Sequence, residues 1–122
     1  MPTDDPLDPA AFERLRRLGG DNLLVQMIDI FLDFVPKKIA QALDGQKTNY
    51  LPGIEQGAHA IKSSAGHVGA RRLHDLATEI ERLARERQSA PLPSLLSDLE
   101  SEFVRVRTSL IEHQRNLSNS AD

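Results

Sequence analysis

Apolar residues recur at intervals of three and four along almost the whole chain, and no segment alternates long enough to predict a strand. The spacing therefore predicts an all-α protein. Glycines, prolines and polar runs divide the pattern into five helices. Four of them are long and amphipathic and are joined by short loops, so we expect an antiparallel four-helix bundle with a short additional N-terminal helix as a cap over one end.

The first two predicted helices meet at a glycine pair. The first starts at Asp8-Pro9, where Asp suits the N-cap and Pro the first turn, and it ends at Gly19-Gly20. The second runs from Asp21 to about Gly45. Pro36 lies inside it, and proline removes a helical hydrogen bond and clashes with the preceding turn, so we expect a kink around residues 32–36.

The third predicted helix runs from Leu51 or Pro52 to His67. The fourth begins directly after Gly69, and the fifth covers about residues 93–114. The inward positions are expected to be Phe12, Leu15 and Leu18; Leu24, Met27, Ile28, Phe31, Phe34, Val35, Ile39 and Leu43; Leu51, Ile54, Ala58, Ile61, Ala65 and Val68; Leu73, Leu76, Ala77, Ile80, Leu83 and Ala84; and Leu95, Leu99, Phe103, Val106 and Leu110. The fourth helix is expected to present a charged outer face of Glu79, Glu81, Arg82 and Arg85.

Composition narrows the class of protein. The 122 residues suit a single domain over 1–122, with an ordered core of about 8–115 and frayed ends. No apolar run approaches the roughly 20 residues of a membrane span, and the acidic N-terminus does not resemble a secretory signal. The net charge of −3 and the absence of Trp argue against a nucleic-acid binder. The absence of cysteine fits the cytoplasm, where we expect the protein to act.

The stretch AHAIKSSAGHVGA around His59 places a histidine among small residues on the third predicted helix. At about 100° per residue, His59 points roughly 140° away from the centre of the apolar face, so it is expected to face outward. Glu55 lies one turn back, Ser63 one turn on and Gly66 two turns on. Glycine costs a helix interior roughly 1 kcal/mol relative to alanine, so Gly66 indicates either an early helix end or close approach by another molecule.

An exposed histidine of this kind can act as a nucleophile, because a neutral imidazole has one ring nitrogen with a free lone pair. If the electrophile is a phosphoryl group, the product adds close to two negative charges. Lys62, one turn from His59, is placed to offset them. The alternative is a surface histidine beside a surface lysine by chance, and the spacing alone leaves both interpretations open.

The longer stretch AHAIKSSAGHVGARRLHDLATEIE resembles the signature of histidine-containing phosphotransfer (HPt) domains, in which Ala-His is followed by Lys three places on, small residues, Gly-Ala and a leucine-rich helix. The matching positions are Ala58, His59, Ile61, Lys62, Ser64, Gly69, Ala70, Leu73 and Leu76. FLDFVPKKIAQAL is also similar to the family's Pro-containing helix, so the resemblance covers most of the chain. One departure is Ser63, where many members have Gly; serine is still small, so docking should survive with a tighter fit.

The resemblance implies a phosphocarrier in a multistep His-Asp phosphorelay. His59 would accept a phosphoryl group from the aspartate of one receiver domain and pass it to the aspartate of another, with Lys62 stabilising the charge of the phosphate. Glu55, Ser63 and Gly66 would belong to the docking face. No ATP-dependent kinase activity, cofactor or metal of its own is expected, and Mg²⁺ would come with the receiver domain.

Antiparallel geometry adds two candidate lysines. If the loop between the second and third helices centres near residue 47 or 48, residues 36–38 stand level with His59. Lys37 and Lys38 are then candidates for a positive surround, and the alternative that each lysine only solvates a helix end stays open. Arg71 and Arg72 lie about 15 Å farther along, where they could steer a partner without touching the phosphate.

The other histidines predict little chemistry. His67 and His74 have no four-residue spacing with each other or with His59, and no carboxylate completes a recognisable ligand set, so no metal site is expected. His113 is interpreted as an ordinary helix-terminus residue.

Two alternative functions remain open. The first is a non-catalytic helical adaptor that binds a receiver domain without carrying phosphate. The second is the dimeric phospho-accepting module of a sensor kinase, but HAIKSS lacks that family's acidic residue after His and its Arg-Thr-Pro run.

The expected partners are response-regulator receiver domains and a hybrid sensor histidine kinase. The protein is expected to be a monomer with no nucleic-acid partner and no membrane insertion.

Overall fold

The described part of this computed structural model, residues 5–120 with side chains to residue 117, is helical and contains no strand. Its helices are α1 (Pro9–Thr48), α2 (Leu51–Val68), α3 (Arg71–Arg85) and α4 (Leu92–Ser120). Each helix packs against two others, α1 on α2, α2 on α3, α3 on α4 and α4 on α1, which closes a four-helix bundle. The predicted fold class is confirmed. None of the described helices combines the length and the apolar content needed to cross a membrane.

The long helix α1 contains both of the first two predicted helices. Gly20 has φ 71° and ψ −167°, a conformation that side-chain-bearing residues rarely adopt, and it separates a short segment, 9–19, from the main helix. The Asp8 side chain accepts a hydrogen bond from the backbone N–H of Ala10 at 3.0 Å, as predicted for an N-cap. Pro36 lies within α1, and the helix continues through it. A bend at residues 32–36 stays a prediction.

The predicted end of the second helix at Gly45 is wrong. The helix continues to Thr48, and Asn49 ends it in the left-handed conformation, with φ 55°. Gly45 serves close packing instead, because a Cβ there would lie 2.9 Å from the carbonyl oxygen of Tyr50 and 3.0 Å from the Ile54 side chain. The break at Gly69, with φ 72° in the C-cap of α2, is confirmed.

Most of the predicted apolar positions are buried or packed on the core, and two of the large side chains are exposed instead. Leu18 is 78% exposed, because residues spaced by three drift 60° per step and Leu18 is two such steps from Phe12. Phe34 is 36% exposed, because it lies at the flank of the stripe centred on Val35. The Lys38 ammonium lies over the Phe34 ring, 5.3 Å from its centroid.

The last helix is longer than predicted, since it continues past residue 114 to Ser120. His113 is therefore not at a helix terminus. Its ring packs edge-on against Phe12, with the ring centroids 4.7 Å apart, and so ties α4 to the segment 9–19. The predicted fraying of the chain ends falls partly on residues 1–4 and 121–122, which lie outside the described residues. The single-domain boundary stays a prediction.

Candidate functional site

His59 lies on the outward face of α2, as predicted, with 61% of its side chain exposed. Ser63 and Gly66 follow it along the same face and are also exposed. The apolar residues of α2 point the other way, and Ala58 and Ile61 are fully buried beside it. The packing of α2 therefore fixes the direction of the imidazole and leaves one side of the ring open to solvent.

A carboxylate that the sequence placed on the outer face of α3 contacts this histidine. Glu81 Oε2 lies 2.6 Å from His59 Nδ1, and Glu81 Oε1 accepts a hydrogen bond from Lys62 Nζ at 2.7 Å. Only 5% of the Glu81 side chain is exposed, so its assignment to a solvated charged face is wrong. The other three residues of that predicted face, Glu79, Arg82 and Arg85, do have substantial exposure.

The turn at Gly69 sets the register that brings these groups together. Across the antiparallel pair α2 and α3, Glu55 meets Arg85, His59 meets Glu81, and Gly66 lies beside His74. Each step of four or seven residues along α2 is matched by an equal step in the opposite direction along α3. Antiparallel register thus puts Glu81 of α3 level with His59, in the same way as it puts residues 36–38 of α1 level with it.

Glu81 is held in its ionised form. Burial acts to raise the pKa of Glu81, but hydrogen bonds from Lys62 and His59 outweigh it, and the pKa lies below its ordinary value of 4.5. Arg85 also donates to Glu81 Oε2 at 2.9 Å and to Glu55 Oε2 at 3.1 Å. An ionised carboxylate can only accept, so the proton between Glu81 and His59 belongs to Nδ1. The lone pair of the neutral ring is then on Nε2.

Lys62 is predicted to offset the charge of a phosphoryl group on His59, and in the structure its ammonium binds a carboxylate. Its ammonium binds Glu81, and its side chain is 29% exposed. An ammonium has three donors, of which this bond uses one. Lys62 can therefore hold the carboxylate and still present N–H groups on the side of His59.

Lys37 and Lys38 lie at the predicted level. A Cβ on Gly57 would lie 2.8 Å from the carbonyl oxygen of Lys38, so this part of α1 packs one turn or less from His59. The described contacts of both ammonium groups are within α1: Lys37 Nζ lies 3.4 Å from an oxygen of Asp33, and Lys38 Nζ lies 3.5 Å from an oxygen of Gln41. The described contacts thus bring neither ammonium to the imidazole of His59.

Gly66 does not mark an early helix end, because α2 continues to Val68. A Cβ built on Gly66 would meet only Cδ2 of His74, at 3.9 Å, which is an ordinary contact distance. Packing within the protein therefore does not require glycine at this position. The other explanation offered by the sequence, close approach by another molecule, stays a prediction.

The arginines and histidines beyond this face make contacts of their own. Arg71 binds Asp8 at 3.0 Å, and Arg72 lies 3.6 Å from Glu102. His74 Nδ1 lies 3.2 Å from an oxygen of Asp75. Within residues 5–117, no group of three or more His, Asp or Glu side chains is arranged to hold a metal ion.

Known proteins of one family are similar to this chain over most of its length. A model of the Hpt domain family matches residues 26–109. The chain belongs to the Hpt domain family. It is 34% identical over 85 residues to the phosphorelay protein LuxU of Vibrio harveyi. The aligned residues make up 69% of this chain and 74% of LuxU.

A solved structure of this family has the same fold. The crystal structure of histidine-containing phosphotransfer protein B from Pseudomonas aeruginosa PAO1 superposes with a TM-score of 0.87 at 21% identity, over 93% of this chain and 98% of that one. The predicted resemblance is confirmed, and this Hpt protein is a histidine-containing phosphocarrier of a phosphorelay.

Proposed function

We propose that His59 is the phospho-acceptor and that its Nε2 takes the phosphoryl group from the phospho-aspartate of one receiver domain and delivers it to the aspartate of another. The observation that carries this proposal is the 2.6 Å contact between the buried Glu81 carboxylate and Nδ1. It fixes the tautomer of the ring and leaves Nε2 as the nucleophile on an exposed face.

The transfer balances without a further reactant. The Nε2 lone pair attacks phosphorus, the Nε2–P bond forms, and the P–O bond to the aspartate of the donor breaks and leaves a carboxylate. The ring becomes cationic because Nδ1 keeps its proton, and this proton stays hydrogen-bonded to Glu81. Delivery to the next aspartate is the reverse, and the ring returns to the neutral Nδ1–H form.

Charge stabilisation is assigned to two neighbours. Lys62 holds Glu81 with one donor and offsets the phosphoryl oxygens with the others. Arg85 binds Glu81 and Glu55 together, which keeps the carboxylate in place when the ring becomes cationic. We assign both as positioning and charge-stabilising groups around the acceptor.

The receiver domain is proposed to dock over the face that surrounds His59. Ser63 and Gly66 have little or no side chain, so they would not obstruct a partner over that face. Glu55 borders the face at its N-terminal side. The close packing of Lys38 against Gly57 supports including the neighbouring part of α1, with the exposed Phe34 and with Lys37 and Lys38, in the proposed docking face. An apolar side chain flanked by lysines suits a receiver surface that carries an acidic phospho-acceptor site.

The remaining partners follow from this role. We propose that a hybrid sensor histidine kinase starts the relay, that receiver domains are both donor and acceptor, and that Mg²⁺ enters with the receiver rather than with this chain. We also propose that the protein acts as a monomer in the cytoplasm, which the lack of cysteine fits.

The decisive experiment is transfer from a phosphorylated receiver domain. The wild-type protein is expected to gain one acid-labile phosphoryl group, and His59→Gln is expected to abolish labelling with unchanged helical content by circular dichroism. His67→Gln is the matched control, because His67 is another exposed histidine of α2, and it should label as the wild type does.

Persistent labelling of His59→Gln would contradict the proposal. Receiver binding without any labelling of the wild type would instead identify the chain as a non-catalytic adaptor.

A further inference from the structure

A small notch opens beside Gly66, between the segment 9–19 and the start of α3. Its volume is about 210 Å³, and Arg14, Arg71 and His74 are its basic residues. We call it the Arg14 notch. Its floor includes Gly66 itself, where a side chain is missing and a Cβ would touch only His74.

The charges in the Arg14 notch do not cancel. Asp8 also lines it, and it is paired with Arg71 at 3.0 Å, so these two charges offset each other. Arg14 is exposed, and its side chain makes no hydrogen bond or ion pair within the described part of the chain. The notch therefore carries one uncompensated positive charge in a protein whose net charge is −3.

The position of the notch relates it to the acceptor histidine. Gly66 is seven residues after His59 on α2, which is almost two full turns, so the two point in nearly the same direction about 10 Å apart along the axis. A molecule that covers His59 and continues along α2 over Gly66 reaches the notch. This distance is far smaller than the width of a protein domain.

We propose that the Arg14 notch receives a carboxylate side chain of the receiver domain that docks over His59, and that Arg14 helps to select among receivers. This rests on the proposed function of His59. The carboxylate would pair with Arg14, and the lack of a side chain at Gly66 would give it room to enter. Such a pair at the edge of an interface acts on association and partner choice more than on the chemical step.

The test compares Arg14→Glu with Arg107→Glu, an exposed arginine of α4 that changes the net charge by the same amount. Binding is measured to a panel of receiver domains loaded with beryllofluoride, and phosphotransfer is measured from the same receivers when phosphorylated. For the receiver that binds the wild type most tightly, Arg14→Glu is expected to weaken affinity roughly five- to tenfold at low salt. The loss should shrink at high salt, and the transfer rate at saturation should stay the same.

Three results separate the two claims. Equal affinities of Arg14→Glu and Arg107→Glu would overturn the role of the notch, because only net charge would then matter. A wild type that binds receivers with this Arg14 dependence but takes up no phosphate would support the notch and overturn the phosphocarrier proposal for His59. A wild type that binds no receiver in the panel would overturn both. Equal melting temperatures of the two variants would show that folding does not cause the difference.

Discussion

At the scale of single residues, Glu81 is the group on which the proposed chemistry depends. A buried carboxylate is costly unless its charge is paired and hydrogen-bonded. Here three donors surround it, from Lys62, Arg85 and His59, and they use both oxygens. The same charge that compensates Lys62 and Arg85 in the resting protein can compensate the cationic ring after His59 is phosphorylated. In the proposed function, one residue therefore serves both stability and transfer.

Replacement of Glu81 by Gln is expected to slow phosphoryl transfer to His59 by about tenfold or more, since hydrogen bonds to charged groups contribute roughly 1.5–3 kcal/mol. The amide cannot compensate a cationic ring, and it can also turn its NH₂ toward Nδ1. Nitrogen-15 NMR of the imidazole should then show loss of the single Nδ1–H tautomer that we expect in the wild type. Transfer rates from a phosphorylated receiver give the kinetic measurement.

Glu79→Gln is the matched control for this prediction, because Glu79 is on the same helix and pairs with Arg82 in solvent. It should leave both the rate and the tautomer unchanged. A wild-type ring protonated on Nε2 would contradict the assigned role of Glu81.

At the scale of helices, two glycines of α2 differ in whether helix packing requires them. Gly57 allows α1 and α2 to pack closely, since a Cβ there would lie 2.8 Å from the carbonyl oxygen of Lys38 and 3.2 Å from the Ala42 side chain. Gly66 has open space around its missing side chain. The first glycine is required by the packing of α1 on α2, whereas no contact among the described residues requires the second.

Alanine at these two positions should therefore change stability with opposite signs. Gly57→Ala forces the helices apart and is expected to lower the free energy of unfolding by about 1–3 kcal/mol. Gly66→Ala is expected to raise it by roughly 0.5–1 kcal/mol, because alanine is the better helix former and its methyl group would make only an ordinary contact with His74. Urea unfolding of both variants measures this, and a loss of stability in Gly66→Ala would contradict the open space.

The element scale also shows what the sequence could predict. Helix types, the break at Gly69 and most of the core follow from the spacing of apolar residues, which is a local property. The predicted end of the helix at Gly45 is wrong because this glycine allows close packing between helices instead of ending one. The packing depends on Tyr50 and Ile54, which the local sequence pattern around Gly45 does not reveal. The burial of Glu81 and its contact with His59 also depend on packing between helices. Its burial comes from the residues opposite it on α2, so only the register between helices could reveal it.

At the scale of the whole molecule, the ion-pair network of Glu81 should appear in the pH dependence of stability. Although burial opposes ionisation, hydrogen bonds from Lys62 and His59 hold the pKa of Glu81 below its ordinary value of 4.5 in the folded state. The unfolded chain therefore binds the extra proton first as the pH falls, and the free energy of unfolding decreases with it. The stabilisation from this group is fully present above about pH 4.5 and is lost as the pH falls through the lower, folded-state pKa.

Urea unfolding at a series of pH values from about 3 to 6 tests this expectation. Glu81→Gln resembles the protonated side chain, so its stability should lie below that of the wild type at pH 6, and the two should converge as the pH falls below about 4.5. Glu79→Gln provides the comparison, because a hydrogen bond from Arg82 also lowers the pKa of Glu79, but solvent screens that exposed pair. A difference between Glu81→Gln and the wild type that stayed constant across the series would mean that the carboxylate gains no net stabilisation from its charged partners. Its place beside His59 would then have to be explained by phosphoryl transfer alone.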